Sequence, residues 1–501
     1  MSPKSIWSRP SVFILIHCLV WWVMTISAKS TLDSYGDMVE VYAWSQHWLL
    51  GSDKHPQFLP WMAKLWFLAA PKSVASFYFL SAINLAIALY GIVALGRALK
   101  MSEPAVSLAL ALTVLALPYL TLPGKLNMNA ICLSVWPWVV WAFAKALDGR
   151  TESRRVHAAA FGVLAAIAML SKYYSIVLLL PLFAYAFLPS QRGIWRTATP
   201  WLAVAVFLLA SAPHLYWLVT HSEALAYASE QGTDDTAGQH VKYILKFLAA
   251  PLIYWPIPLL VAFAFLARGS LAGRIRQILS PRFVPGLLLF AALGPWLTTI
   301  LFSVVGLVEL SMPWAIPIGF AFTLYIATNV PPQMLAVRSA QLVSAFRFLW
   351  PLMIVAGLAI GAVQGLKGRP GFYVPNEEAA AAILANWSKR SALPLSWTAK
   401  GNSAANLAFF SDGAVEALPN LPDRMPSYYP PRTNWRQEAG VIICSLEPVG
   451  NVDRDCLKEA MNWATTVGLN SAEAILETRR TGVRFPHKVP FEMAVVYVWP
   501  G

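Results

Sequence analysis

The chain has 501 residues, of which 57% are hydrophobic and only 13% charged, with 22 tryptophans and a formal net charge of +13. That balance excludes a soluble domain with an ordinary polar surface and marks a polytopic membrane protein, all-α in its membrane part. The basic excess does not point to nucleic acid: Lys and Arg are spread over short loops between apolar runs, so no nucleic-acid partner is expected and membrane lipids are.

Lys4 and Arg9 precede an apolar run over 11–28 that superficially resembles a signal peptide. It is longer than a typical leader core and the following sequence keeps re-entering the membrane, so the expectation is a retained first span, a cleaved leader being the alternative. Further runs of crossing length, or slightly less, fall near 74–96, 104–122, 129–147, 157–171, 174–190, 198–219, 243–266, 284–306, 312–330 and 347–365. About eleven transmembrane helices are therefore expected.

Between the first two spans lies DSYGDMVEVYAWSQHWLLGSDKHPQFLPW, which sets Asp33, Asp37, Glu40, His47, Asp53, Lys54 and His55 among aromatics beside a span. Charge there is costly and usually functional, although a solvated helix end is the plain alternative. Asp37 and Glu40 are three apart, so on a helix they share a face and could hold a metal, a sugar or a proton. Asp37 follows Gly36 at a break, where a short side chain can be aimed at a cavity, and it is the better candidate for a base. The loop (29–73) is long enough for interfacial helices. Trp44, Trp48, Trp61 and Trp66 suit the headgroup level, as belt residues first and sugar-stacking platforms second.

Further on, PGKLNMNA places Lys125, Asn127 and Asn129 at a membrane face, where the amides either hold sugar hydroxyls or cap the helix that begins near Met128. The break SKYYS brings Lys172, Tyr173 and Tyr174 to the same face. A lysine there either snorkels or acts as a point charge for a phosphate. His214, His221 and His240 have no metal-ligand spacing and read as satisfied or solvated histidines. Glu309 reads as structural.

With the N-terminus inside, one side of the membrane receives Lys4, Arg9, Arg97, Lys100, Arg150, Arg154, Arg155, Arg192, Arg196, Arg268, Arg274, Arg276, Arg282, Arg338 and Arg347. The other receives Asp33, Asp37, Glu40, Asp53, Glu223, Glu230, Asp234, Asp235 and Glu309. This is the positive-inside pattern, and it turns the acidic first loop away from the cytoplasm. After Lys367 the composition becomes that of a soluble domain. The expected division is thus a membrane catalytic part over 1–366 and a soluble part over 367–501, an odd number of spans placing the latter on the side of the first loop. In the tail AAAAILANW reads as a helix, and LAFFS, VIICS and AVVYVWP as strands of a small α/β or α+β module. Cys18 and Cys132 sit in apolar runs, whereas Cys444 and Cys456 could pair if the tail is extracytoplasmic.

GDMVEVYAWSQHWLLGSDKHPQFLPW, with KLNMNAICLSVWPW and SKYYS after it, resembles the polyprenyl-phosphate-sugar-dependent glycosyltransferases of the GT-C fold. These are the family 39 relatives that include protein O-mannosyltransferases and lipid A aminoarabinose transferases. The resemblance covers roughly the first 220 residues. It implies a bacterial inner-membrane enzyme with a periplasmic C-terminal domain, moving a sugar from a polyprenyl-phosphate donor to a lipid or glycan acceptor with inversion. It implies Asp37 as base, Glu40 as its acidic neighbour, His55 and Pro56 as a His-Pro element, and Lys172 as a contact to the donor phosphate. Lys54, Asn127, Asn129 and Tyr173 join these as candidate substrate-binding residues. Gln57 stands where relatives have a second Pro, and Asn127 and Asn129 where many have an Asp, which weakens the case for a divalent metal, the one cofactor the resemblance allows. A transporter or flippase of lipid-linked sugars is the rival from another class; it predicts acids near the bilayer midplane and an inverted repeat, and the sequence has neither. A protein O-mannosyltransferase-like activity is the alternative within the family.

Overall fold

The computed structural model describes residues 9–121, 124–148, 151–221, 236–281, 284–367, 370–399, 401–480 and 489–501. Lys4, Arg150, Glu223, Glu230, Asp234, Asp235 and Arg282 of the charge pattern lie outside the described residues. Helix α1 (Pro10–Ala28) is followed by α2 (Asp37–Ser45) and α3 (Phe58–Ala69), then α4 (Val74–Ala98), α5 (Glu103–Thr113), α6 (Leu117–Thr121), α7 (Met128–Asp148), α8 (Thr151–Ser171), α9 (Ile176–Ala186) and α10 (Thr199–Thr220). Next come α11 (Ala237–Leu248), α12 (Ala250–Tyr254), α13 (Pro256–Val261) with a π-helical turn over Ala262–Leu266, α14 (Leu271–Ile278), α15 (Gly286–Val304), α16 (Phe322–Thr328) and α17 (Pro332–Lys367). The tail adds α18 (Pro370–Tyr373), α19 (Asn376–Ser388), β1 (Leu395–Ala399), α20 (Gly401–Phe410), β2 (Glu416–Leu418), β3 (Ala439–Pro448), α21 (Arg454–Thr466), β4 (Asn470–Thr478) and β5 (Phe491–Trp499).

Every expected apolar run contains helix, but the runs do not all become single spans. Among the described residues seven helices are long and apolar enough to cross a membrane, or eight if the pair over Pro256–Leu266 and Leu271–Ile278, bent by 115°, is one span. Shorter apolar helices lie over Phe58–Ala69, Glu103–Thr113, Tyr173–Ala186 and Met312–Thr328, and proline sets where several of the runs are divided. Pro118 has no N–H to offer the carbonyl of Val114, so the run 104–122 splits into α5 and α6. Pro251, Pro256 and Pro258 divide 243–266, and Pro313 and Pro317 turn 312–330 into two 3₁₀ turns leading to α16. The last span reaches back well before 347, to Pro332.

The chain forms two compact units. The first comprises residues 1–21, 50–58 and 81–352, and the second 22–49, 59–80 and 353–501. In the first unit α7 is buried along most of its length, whereas α10 presents Trp201, Leu208, Leu209, Tyr216 and Val219 outward, as a lipid-facing helix must. Close helix contacts rest on glycine. A Cβ at Gly162 of α8 would come within 2.4 Å of the Ala203 carbonyl on α10, and one at Gly294 of α15 within 2.4 Å of the Pro181 ring on α9.

The second unit is built on a five-stranded mixed sheet of order β2-β1-β3-β5-β4, with β1 parallel to β2 and β3, and β5 antiparallel to β3 and β4. Both faces are covered. Val441 and Ile443 with Val495 and Tyr497 face α19 and α20, while Ile442 with Val496 and Val498 faces α21. Burial on both faces is why VIICS and AVVYVWP read as unbroken apolar runs. LAFFS is a correction: it forms the last turns of α20, because the Ala-rich GNSAAN ahead of it carries a helix into it and Leu407, Ala408 and Phe409 are all buried there. Cys444 and Cys456 form a disulfide joining β3 to the first turn of α21, with Cα atoms 5.5 Å apart.

The first loop, apart from residues 50–58, belongs to this unit. Tyr42, Phe67, Phe77 and Phe409 form one cluster of edge-on and tilted rings, with centroids 5.0–6.0 Å apart, that ties α2, α3 and the start of α4 to α20. Gln46 covers the free edge of β2: its side-chain oxygen accepts from the Ala417 N–H at 2.8 Å and its NH₂ donates to the Val415 carbonyl at 3.3 Å. His47 meets Glu416 at 2.6 Å, and Glu416 also accepts from the Tyr429 hydroxyl and from Arg432, which reaches on to Glu438 at 2.5 Å. Burial opposes the charge on Glu416, but the hydrogen bond with His47 and the nearby guanidinium outweigh it and hold the carboxyl below its ordinary range.

Candidate active site

In the first unit the polar residues gather where α8 stops. Ser171 closes α8 by donating to the Ile167 carbonyl at 2.7 Å, and Lys172 then takes an extended backbone, φ −162° and ψ 128°, before a 3₁₀ turn over Tyr173–Ser175. The break turns the lysine out of the helical row. Its Nζ donates to Asn129 Oδ1 at 2.7 Å and lies 5.6 Å and 5.8 Å from the ring centres of Tyr174 and Trp314. Two aromatic faces and an amide thus take part in holding the cation. The two asparagines part company here. Asn127 Oδ1 caps α7 by accepting from the N–H groups of Asn129 and Ala130, each at 3.0 Å, and Asn129 is the one that reaches Lys172.

The segment 50–58 is folded around one hydroxyl. Ser52 Oγ donates to the His55 carbonyl at 3.0 Å and accepts from the His55 N–H at 3.1 Å, while Gly51 and Pro56 form a bridge. His214 clamps this segment to α10. A carbonyl can only accept, so the 2.6 Å contact between His214 Nδ1 and the Leu50 oxygen places the proton on Nδ1, and Nε2 accepts from the Tyr173 hydroxyl at 2.9 Å. The rings of Tyr173, His214, Trp217 and His221 stack in succession. Gly51 sits against this stack so closely that a Cβ would fall 2.3 Å from the Trp217 ring.

His55 is thereby held near the cations. Desolvation, then the charges of Lys172 and Lys54, push its imidazole down to about 3, so it is neutral at physiological pH. Gln57, in place of the expected proline, is fully buried and donates to the His55 carbonyl at 3.1 Å.

The acidic candidates lie in the second unit, at the start of α2. Asp33, three residues ahead of the N-cap Gly36, satisfies the start of the helix: its Oδ1 accepts from the Met38 N–H at 2.8 Å and its Oδ2 from the Asp37 N–H at 3.1 Å. Gly36 takes φ 81°, and a Cβ there would fall 2.0 Å from Asn402 Nδ2. Met38, Val39, Val41 and Tyr42 are buried, which leaves Asp37 and Glu40 together on the half-buried face of α2. Sequence reading missed this role of Asp33, although an Asp before a glycine and an apolar run is a recognisable helix start. Lys64 closes the other end of α2, donating to the Gln46 carbonyl at 2.7 Å. Among the described residues no group of three or more His, Cys, Asp and Glu is arranged to hold a metal ion.

Residues 54–217 match the family described as dolichyl-phosphate-mannose-protein mannosyltransferase. Among curated proteins none matches the sequence. The whole structure superposes on the crystal structure of ArnT from Cupriavidus metallidurans in the apo state, with a TM-score of 0.59 and 13% identity over 97% of each chain. The chain has the ArnT fold. A second crystal structure of that ArnT, bound to undecaprenyl phosphate, gives the same TM-score with 14% identity over 97% of each chain. At these identities the ArnT likeness establishes a fold, and the chemistry has to be argued from the side chains. The family match covers Lys54, His55, Asn127, Asn129, Lys172, Tyr173 and His214, whereas Asp37 and Glu40 lie ahead of it.

Proposed function

We propose that the protein is an inverting glycosyltransferase that moves a sugar from a polyprenyl-phosphate donor to a lipid A, lipopolysaccharide or other glycan acceptor at the periplasmic face of a bacterial inner membrane. The observation that carries this reading is Lys172, an ammonium held by Asn129 and two aromatic faces inside the segment that matches a family of lipid-phosphate-dependent sugar transferases. The solved ArnT bound to undecaprenyl phosphate supports a donor of that class. The Cys444–Cys456 disulfide supports an oxidising compartment for the tail. Residues 1–366 are then the membrane catalytic part and 367–501 the periplasmic part.

In this reading the Lys172 ammonium, with Lys54, balances the charge that grows on the departing phosphate. Asp37, with Glu40 beside it, takes the proton from the acceptor hydroxyl as its oxygen bonds to the anomeric carbon. The bond from that carbon to the phosphate oxygen breaks in the same displacement, which inverts the centre and requires no covalent enzyme intermediate. Neutral His55 carries no charge and does not compete with the lysines for the phosphate.

A second reading, transfer to a protein acceptor, is favoured by the description of the matching family. Membranes containing Asp37→Asn and supplied with a lipid-linked sugar test the first step: transfer collapses while the protein persists. Wild-type membranes that move the lipid-linked sugar across the bilayer without transferring it overturn the reading in favour of a transporter. Mass spectrometry of envelope lipids and of proteins, with and without the chain, separates the two acceptor classes.

A further inference from the structure

The stretch from 236 to 376 holds one acid, Glu309, against arginines at 268, 274, 276, 282, 338, 347 and 369. Arg268 and Arg276 are exposed, and they flank a helix whose geometry is unusual for a chain leaving a span. After the π-helical turn, Gly269 takes φ +95° and Ser270 Oγ accepts from the Gly273 N–H at 3.3 Å, so that α14 starts anew, bent 115° from the helix before it. The bend turns α14 sharply away from the apolar helix over Pro256–Leu266.

One face of α14 is fixed to the protein. Arg274 donates to the Gly269 and Phe263 carbonyls at 2.8 Å and 3.3 Å, and Ile278 is fully buried. The last carbonyls of the helix are satisfied too: Leu279 O accepts from the Tyr325 hydroxyl at 2.8 Å and Ile278 O from Asn329 Nδ2 at 3.1 Å. The adjoining stripe carries Leu271, Ile275 and Leu279 at four-residue spacing, 69%, 40% and 50% exposed. A helix anchored through Arg274 and Ile278, with an exposed apolar stripe beside that anchor and arginines at its edge, is the pattern of an interfacial helix. Arg338, stacked 4.2 Å from the Phe265 ring, extends the cationic rim.

We infer that α14 lies in the headgroup layer with Leu271, Ile275 and Leu279 among the acyl chains, and that Arg268 and Arg276 bind the phosphate of an anionic bilayer phospholipid. Charge complementarity selects that occupant, since no acidic side chain within the segment from 236 to 308 competes for the arginines. The inference is independent of the transferase reading.

The test uses the full chain in nanodiscs of phosphatidylcholine, with or without phosphatidylglycerol. Native mass spectrometry is expected to show phosphatidylglycerol retained by the wild type. Arg268→Gln with Arg276→Gln weakens that retention by roughly an order of magnitude or more, about fivefold for each arginine, while Arg268→Lys with Arg276→Lys keeps most of it. An environment-sensitive label on Ile275→Cys reads the apolar face, with little background because Cys18 and Cys132 are buried and Cys444 and Cys456 are paired. Quenching by brominated lipid and not by an aqueous quencher is expected. Equal retention by the Gln variant, a label quenched from water, or a label quenched by a second labelled copy regardless of lipid would each overturn the inference.

Discussion

Lys172 shows how a break in a helix redirects a single side chain. Its ammonium donates to the Asn129 amide oxygen and lies over the rings of Tyr174 and Trp314. Lys172→Met keeps the bulk and removes the charge, and sugar transfer is expected to fall about 100-fold, measured with a lipid-linked sugar in membranes. His55 allows a pH test. Its imidazole titrates at about 3 in the fold and near 6.5 in the unfolded chain, so between those values the unfolded state takes up a proton that the folded loop refuses. Stability then falls as pH drops through that window and does not depend on this residue above it. His55→Gln is expected to flatten the acid slope of the thermal midpoint, followed in detergent from about pH 7 to about pH 5. At this scale the sequence exposed the lysine, because a charge between two apolar runs is conspicuous. It did not divide Asn127 from Asn129, nor give His214 its partner, since the Leu50 carbonyl is 164 residues away in the chain.

At the scale of elements, hydrophobic periodicity located the helical runs well, and several of them are broken within their length. Proline decides continuity, and its effect depends on whether neighbours satisfy the freed carbonyl: Pro137, Pro181 and Pro295 sit inside intact helices, while Pro118 and Pro251 mark breaks. LAFFS failed for a related reason, because a run of five apolar and small residues is too short to show a period and the residues before it decided the outcome. The β2 edge is guarded by a side chain and not by another strand. Gln46→Ala removes both hydrogen bonds to that edge, at an expected cost of about 1–2 kcal/mol. Hydrogen exchange should rise at the Ala417 amide, and unchanged protection there would show that the amide pair contributes nothing.

For the molecule as a whole, the apolar runs made the helical, multi-pass membrane architecture legible, because bilayer thickness acts on the sequence directly. The joining of the first loop to the C-terminal sheet was not legible, since no local pattern encodes which distant surface a half-buried helix covers. The Cys444–Cys456 bond lies inside that sheet unit and closes a short loop, so Cys444→Ser with Cys456→Ser is expected to cost roughly 3 kcal/mol. Thermal melting of the double variant measures this, and thiol trapping of the wild type from intact cells should find both sulfurs blocked.

The unit that holds Asp37 is assembled from opposite ends of the polypeptide, residues 22–49 and 59–80 with 353–501. During synthesis its first part leaves the ribosome on the order of tens of seconds before its last, at about 5–20 residues per second. Throughout that interval Tyr42 and Phe67 wait for Phe409, and Gln46 waits for the strand it will cover. A nascent chain stalled before residue 400 would leave α2 uncovered, a target for chaperones and proteases. Synthesis of α20 and β2 is therefore the step that gives the N-terminal helix its cover.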